Sequence, residues 1–219
     1  MLDLFPLVTT DIALFTLMEG QLRVLLVERA NRPCVGAWAL PGGVLRPDED
    51  DSLEATAFRV LATKIMVQVP YLEQVITVSG AARDPRGWSI STLFCALLPP
   101  EEVPAVAGLK TSRICWANPV DHQLPLAFDH AVLINYALTS LRDKVRRKTL
   151  PLHLMPTTFT LTEVQQACEA ILGRKLDKGT FRRQIRDNTS LVELPGEWRT
   201  GPQRPAQLYT RSGSFRFDA

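Results

Sequence analysis

Between Pro41 and Val67 the chain gathers residue types suited to handling phosphate. Pro41-Gly42-Gly43 leads into an acidic turn, Asp48-Glu49-Asp50-Asp51, and then into a helical pattern running from Ser52 through Arg59 to Lys64. Hydrolysis of a pyrophosphate needs a hard divalent cation that neutralises the phosphates and activates water. Carboxylates at i, i+3 and i+4 lie on one helix face and can hold such an ion. The residues at that spacing after Arg59 are Val60, Thr63 and Lys64: an aliphatic, a hydroxyl and an ammonium group. Relative to three carboxylates, the formal charge of the face moves from −3 to +1.

This stretch resembles the Nudix box, Gly-x5-Glu-x7-Arg-Glu-U-x-Glu-Glu-x-Gly-U with U aliphatic, whose family cleaves nucleoside diphosphates linked to another moiety. Arg59 matches the box arginine, and Leu61 and Val67 match its aliphatic positions. The three glutamates after the arginine fall on Val60, Thr63 and Lys64, and the late glycine falls on Met66. Nine residues separate Glu49 from Arg59 where the box has seven; counting from Asp51 restores seven, so the turn is longer by two. The acids at 48–51 and Glu54 are expected to cap and solvate the helix start. No catalytic residue, metal ligand or cofactor is assigned. The expectation is a sensor rather than an enzyme; the alternative is a hydrolase of the ADP-ribose pyrophosphatase type with metal ligands at unusual positions.

A second chemistry appears toward the C-terminus. Residues 1–141 carry 10 Lys+Arg against 15 Asp+Glu, whereas residues 142–219 carry 15 against 8. A basic half attached to an acidic one points to an anionic partner. Thr160-Leu161-Thr162-Glu163 forms a capping-box pattern, and the helix it opens buries Val164, Ala167, Cys168, Ile171 and Leu172 before Gly173 ends it. Asp177 then caps a helix over 178–188 anchored by Phe181 and Ile185, with Lys178, Arg182, Arg183 and Arg186 outside. Two short helices joined by a tight turn, the second basic, are the layout of a helix-turn-helix DNA reader. Strands over 191–194 and 206–210 enclose a tip carrying Arg199 and Arg204, as the wing of a winged helix would.

The elements that must position the first motif alternate strands and helices. Strands are predicted over 9–17, 22–28, 73–79, 89–98 and 113–116, with helices over 51–66 and 128–148. Strands mixed with helices suggest an α/β/α sandwich. Pro151 and Pro156 bracket a short linker, which places a domain boundary between residues 150 and 151. Cys34, Cys95, Cys115 and Cys168 are scattered and read as buried thiols in a reducing compartment. His122 and His153 have no metal partners in the sequence, and His130 reads as a hydrogen-bonded residue at a helix start. No stretch has the length of a membrane span, so a cytoplasmic protein is expected.

A degenerate Nudix box followed by a basic winged helix resembles the NrtR family of Nudix-related transcriptional regulators of NAD metabolism. The resemblance covers nearly the whole chain and includes Leu40-Pro41-Gly42-Gly43, Arg83 to Trp88, Leu126 to His130, Ile171 to Arg174, Phe181-Arg182-Arg183 and Arg204-Pro205-Ala206. It implies an α/β fold: a Nudix α/β/α sandwich over 1–150 that binds an effector, then a winged helix-turn-helix over 151–219 that binds DNA. It implies a homodimeric repressor of NAD biosynthesis or salvage genes, a palindromic duplex operator, and release by ADP-ribose or a related nucleotide. Candidate ligand contacts are Arg83, Asp84, Arg86 and Trp88, together with Arg29, Trp38 and Arg59. Arg83 and Arg86 offer guanidiniums to a pyrophosphate. Candidate DNA contacts are Lys178, Thr180, Arg182, Arg183, Arg186, Arg199 and Arg204.

Overall fold

The computed structural model describes residues 5–103, 113–121, 123–200 and 205–213, so His122 and Arg204 lie outside the described residues. Strands β1 (Leu7–Met18) and β2 (Gln21–Glu28) form an antiparallel hairpin about Glu19-Gly20. Two short strands follow, β3 (Trp38–Ala39) and β4 (Gly42–Val44), where no strand was predicted. β5 (Tyr71–Asp84) and β6 (Gly87–Leu97) make the long hairpin, and β7 (Ile114–Ala117) closes the set. The seven strands build one mixed sheet in the order β3-β2-β1-β6-β5, with β4 paired to β1 and β7 to β2. β1 and β6 run parallel; β4, β2 and β5 pair antiparallel with their neighbours. β5 extends well beyond the predicted 73–79, because the Pro85-Arg86 turn leaves both flanking arms free to continue pairing as far as Asp84 and Gly87.

Side-chain alternation in the central strands separates two cores. Ile12, Leu14, Leu25, Phe94 and Ala96 face one side, where α1 (Leu53–Val60) supplies Ala57 and Val60. Ala13, Phe15, Val24, Leu26, Leu93 and Cys95 face the other, against Leu133, Ile134, Ala137, Leu138 and Leu141 of α2 (His130–Arg146). Helices therefore cover both faces of the sheet, as the predicted α/β/α arrangement requires. The first helix begins at Leu53, two residues after the predicted start at 51: Ser52, not an aspartate, accepts the Ala55 N–H at 3.0 Å as the cap. It continues as a π-helical turn over Leu61–Ile65, and Met66 ends it in the left-handed region at φ 62°. The box glycine would stand at this position, which accounts for the glycine preference there. Met66 is 68% exposed, so its side chain meets no packing conflict.

The C-terminal part adds β8 (Phe159–Thr160), α3 (Leu161–Leu172), α4 (Lys178–Ile185), β9 (Leu191–Arg199) and β10 (Ala206–Arg211). Both expected caps are present: Thr160 and Glu163 form a reciprocal capping box, and Asp177 accepts the Thr180 N–H at 2.8 Å. The wing has three strands in the order β8-β10-β9, one more than predicted. β9 also runs past Pro195-Gly196 to Arg199, and so Arg199 belongs to a strand rather than to the loop tip. Pro195 lacks an N–H, and the local ladder breaks in a bulge. The Gln207 amide repairs it by donating to the carbonyls of Leu194 at 2.5 Å and Glu197 at 3.1 Å.

The segment between the two parts is not a loose tether. Leu150, Leu152, Leu154, Met155 and Phe159 are buried and belong to the same core as α2 and the sheet. Val164, Ala167, Cys168 and Ile171 of α3, with Phe181 and Ile185 of α4, extend that core without a break. Among the described residues no helix is long and apolar enough to cross a membrane.

Candidate functional site

The antiparallel pairing of β4 with β1 sets Gly42 opposite Asp11 and Gly43 opposite Thr10. A β-carbon at Gly42 would fall 2.5 Å from Asp11 Oδ1 and 2.7 Å from the Thr10 carbonyl; at Gly43 it would fall 2.6 Å from Val60 Cγ2. Close backbone approach is therefore the reason for both glycines. The result is a cleft of about 710 Å³ whose wall includes Asp11, Arg29, Lys64, Arg83, Arg86 and Phe128. That volume lies in the range of small-molecule sites.

Thr63 and Lys64 of the degenerate helix face line this cleft and are occupied locally, while Val60 is buried in the α1-side core. Lys64 Nζ donates to the Gly42 carbonyl at 2.7 Å, and Thr63 Oγ1 donates to the Arg59 carbonyl at 2.7 Å. Burial lowers the Lys64 pKa, and the neighbouring cations Arg29, Arg59 and Arg46 lower it further. A donor set of an aliphatic, a hydroxyl already engaged and an ammonium group does not fit a hard divalent cation. Among the described residues no three His, Cys, Asp or Glu side chains gather as a metal site.

The cations around the cleft come from distant elements. Arg83 donates to both oxygens of Asp129, from Nε at 2.8 Å and Nη2 at 2.9 Å. Arg86 and Asp84 pair at 2.6 Å across the hairpin turn, which holds the Asp84 carboxyl below its ordinary pKa and raises that of Arg86. Arg29 donates to the Pro33 carbonyl at 2.8 Å and lies 4.7 Å above the Phe128 ring, with its pKa lowered chiefly by burial. Four of the seven sequence-derived ligand candidates, Arg29, Arg83, Asp84 and Arg86, thus converge on one cleft.

The other three lie elsewhere. Arg59 is engaged by Asp50, at 2.5 and 2.6 Å, and by the Val44 carbonyl at 3.0 Å. It holds the Asp50 carboxyl well below the usual carboxylate range and so pins the acidic turn. Trp38 packs on the α2-side core, with Arg113 5.9 Å from its ring, and Trp88 is 50% exposed; neither lines the cleft. Sequence reasoning missed Asp11, Lys64 and Phe128 as lining residues. Phe128 and Lys64 each left a signal, the first in the Leu126 to His130 motif and the second at a box glutamate position; Asp11 left none.

His130 closes the cleft floor. Its Nδ1 accepts the Leu40 N–H at 2.8 Å, and its Nε2 lies 3.5 Å from Asp11 Oδ1. Burial lowers its pKa, opposed by Asp11 and Asp129 and reinforced by Arg29 and Arg83. The neutral ring is thus the folded form, and protonation would cost the Leu40 bond. Below a pH of about 6.5, where an exposed histidine takes up a proton, the unfolded chain binds a proton that folded His130 refuses. Stability from this group is present above that pH and is lost on acidification toward the folded pKa. The stability gap between wild type and His130→Asn, measured by urea unfolding, is expected to narrow from pH 7.5 to 5.5. A constant gap would contradict this account.

The second candidate surface is α4. Lys178, Arg183 and Arg186 are exposed along it, while Phe181 and Ile185 anchor it to the core. Arg182 turns back instead, donating to Thr162 Oγ1 at 3.1 Å, and Thr180 is half-buried. Arg199 ion-pairs with Glu163 and donates to the Thr158 carbonyl at 3.1 Å, tying the wing to the start of α3. The sequence placed Arg182 outward and Arg199 at a tip; both are diverted by partners it could not reveal.

Comparison with known proteins covers both parts. A model of the NUDIX domain matches residues 8–136, and a model of the NrtR DNA-binding winged helix domain matches residues 151–210. The chain is 41% identical over 204 residues to the ADPR responsive transcriptional repressor NtrR of Acinetobacter baylyi, covering 93% of this chain and 81% of that one. Shewanella oneidensis NrtR complexed with a 27mer DNA superposes with a TM-score of 0.82 at 38% identity, over 94% of this chain and 93% of that one. The NUDIX domain of the same Shewanella protein complexed with ADP ribose gives 0.57 at 43% identity, over 63% and 89% of the two chains.

Proposed function

This chain belongs to the NrtR family, and from that premise we propose that it is a cytoplasmic DNA-binding repressor of NAD biosynthesis or salvage genes, controlled by ADP-ribose or a related NAD metabolite. Residues 1–150 form the sensing part and residues 151–219 the DNA-binding part. A homodimer sets two α4 helices in successive major grooves of a palindromic operator. Lys178, Arg183 and Arg186 meet phosphates and base edges there.

The observation that carries this reading is the Lys64 ammonium at a box glutamate position, donating to the Gly42 carbonyl inside a cleft walled by Arg29, Arg83 and Arg86. Cations in place of carboxylates favour a diphosphate and disfavour the metal that would help to cleave it. The relatives named above, one a repressor responsive to ADPR and one bound to DNA, support the same assignment.

The test uses duplexes from the chain's own upstream region, with and without ADP-ribose. Retention of the duplex, and its release by ADP-ribose, are expected. Arg86→Ala should weaken ADP-ribose binding about tenfold or more, since a charge-assisted hydrogen bond is worth about 1.5–3 kcal/mol. Rapid AMP release with Mg2+ or Mn2+, and indifference to the duplex, would establish the hydrolase instead.

A further inference from the structure

The two candidate surfaces are tied to opposite ends of a single helix. At its start, the carboxylate of Asp129 accepts both arms of the Arg83 fork, and Arg83 lines the cleft. Ala127 N–H donates to the Trp38 carbonyl at 2.7 Å, and His130 accepts from Leu40, so the first turn of α2 is fastened to the cleft wall. Phe128, between these anchors, holds the left-handed region at φ 54°, an unfavourable place for a bulky side chain. Further along, Leu133, Ile134, Ala137, Leu138 and Leu141 are buried, which makes the helix a packed rod. At about 1.5 Å per residue, Asp129 and Arg142 stand roughly 20 Å apart.

At the far end, Arg142 Nε donates to the Ile171 carbonyl at 2.9 Å. That carbonyl lies in the last turn of α3, where helical partners run out and a cation is favoured. Gly173 ends the helix there, and the turn into α4 follows. Glu169 fixes the turn, accepting from the Leu176 N–H at 3.0 Å and from Lys175 Nζ at 2.8 Å. The end of α3 therefore sets where α4 begins.

We propose that Arg142 is a positioning residue that transmits occupancy of the cleft to the basic helix, with α2 as the rigid link. The inference rests on the sensor reading above and assigns its route. A diphosphate in the cleft competes with Asp129 for Arg83, because Asp129 holds the Nε–Nη2 edge of the guanidinium and Nη1 donates to Ser89 Oγ at 3.3 Å, so neither two-donor edge is open. Release of Asp129 lets the first turn of α2 shift, and Arg142 carries the shift to Ile171 and on to α4. The ligand thereby favours one of two domain arrangements, which is the thermodynamic requirement for coupling.

The experiment measures operator affinity of the full-length chain by anisotropy, with and without saturating ADP-ribose, and ADP-ribose affinity by calorimetry. In wild type the ligand is expected to weaken DNA binding by about tenfold, within the usual span of such couplings. In Arg142→Ala that ratio should fall below about twofold, while ADP-ribose affinity and ligand-free DNA affinity stay within about threefold of wild type. Arg142→Lys should recover part of the ratio. A wild-type ratio in Arg142→Ala overturns the proposal, as does a parallel loss of ligand-free DNA affinity, which marks a merely structural contact. Should Arg142→Ala not fold, Asp129→Asn must bind ADP-ribose more tightly and show a reduced ratio; an unchanged ratio is fatal. A wild-type protein whose operator affinity ignores ADP-ribose removes the sensor reading itself, a separate outcome.

Discussion

Phe159→Ala should destabilise the whole chain by about 3–5 kcal/mol, the usual range for emptying a fully buried aromatic site. Phe159 is 0% exposed and pairs with Tyr209 across the β8–β10 ladder. Its core also holds α2, the sheet residues Phe15 and Leu26, and α3, so the cavity opens where the two parts of the chain meet. Because that core has no seam, wild type should unfold in one transition, with far-ultraviolet dichroism and tryptophan fluorescence coincident. Trp38 and Trp116 pack in the sheet part and Trp198 lies on β9, so fluorescence samples both parts. Urea titration of the variant should lower the common midpoint. If the transition instead splits, with the sheet part melting at the wild-type midpoint, the shared core contributes little and the parts are energetically separate.

Arg183→Glu should reduce operator affinity by about two orders of magnitude. Arg183 is exposed on α4, and a base or phosphate contact from such a position is worth about 1–3 kcal/mol. Charge reversal adds repulsion from the phosphates to the missing attraction. The slope of log affinity against log salt should become shallower, by about one for each phosphate that the variant no longer neutralises. ADP-ribose affinity should be unaffected, since Arg183 lies outside the cleft lining. Arg182→Ala gives the contrast. Its guanidinium is turned to Thr162, so part of any effect should appear as reduced stability rather than as a change of salt slope. Equal salt slopes for wild type and Arg183→Glu would exclude a phosphate contact from this residue.

Much of the architecture was legible because it is local. Capping at Thr160 and Asp177 and burial of Phe181 and Ile185 follow from neighbours within a few positions. Strand ends were less legible. Pro195-Gly196 looked like a terminus, and only Gln207, ten or more residues away, allows β9 to continue past it. β8 was missed because two residues carry no periodicity, and their pairing is decided by β10 about fifty positions later.

By itself the amino-acid order determined that the helix after Arg59 presents Val60, Thr63 and Lys64 instead of carboxylates, and that the second of two helices near the C-terminus is basic. Those properties depend on side-chain type and helical spacing, which the backbone imposes locally. Only the tertiary structure decided which arginines face the cleft and which are diverted: Arg83 meets Asp129 46 positions away, Arg59 is held by Asp50, and Arg199 is held by Glu163. It alone decided, too, that α3 shares a core with the sheet. An ion pair or a packed face goes to whichever partner the chain's path brings within reach, and that path is a property of the whole fold.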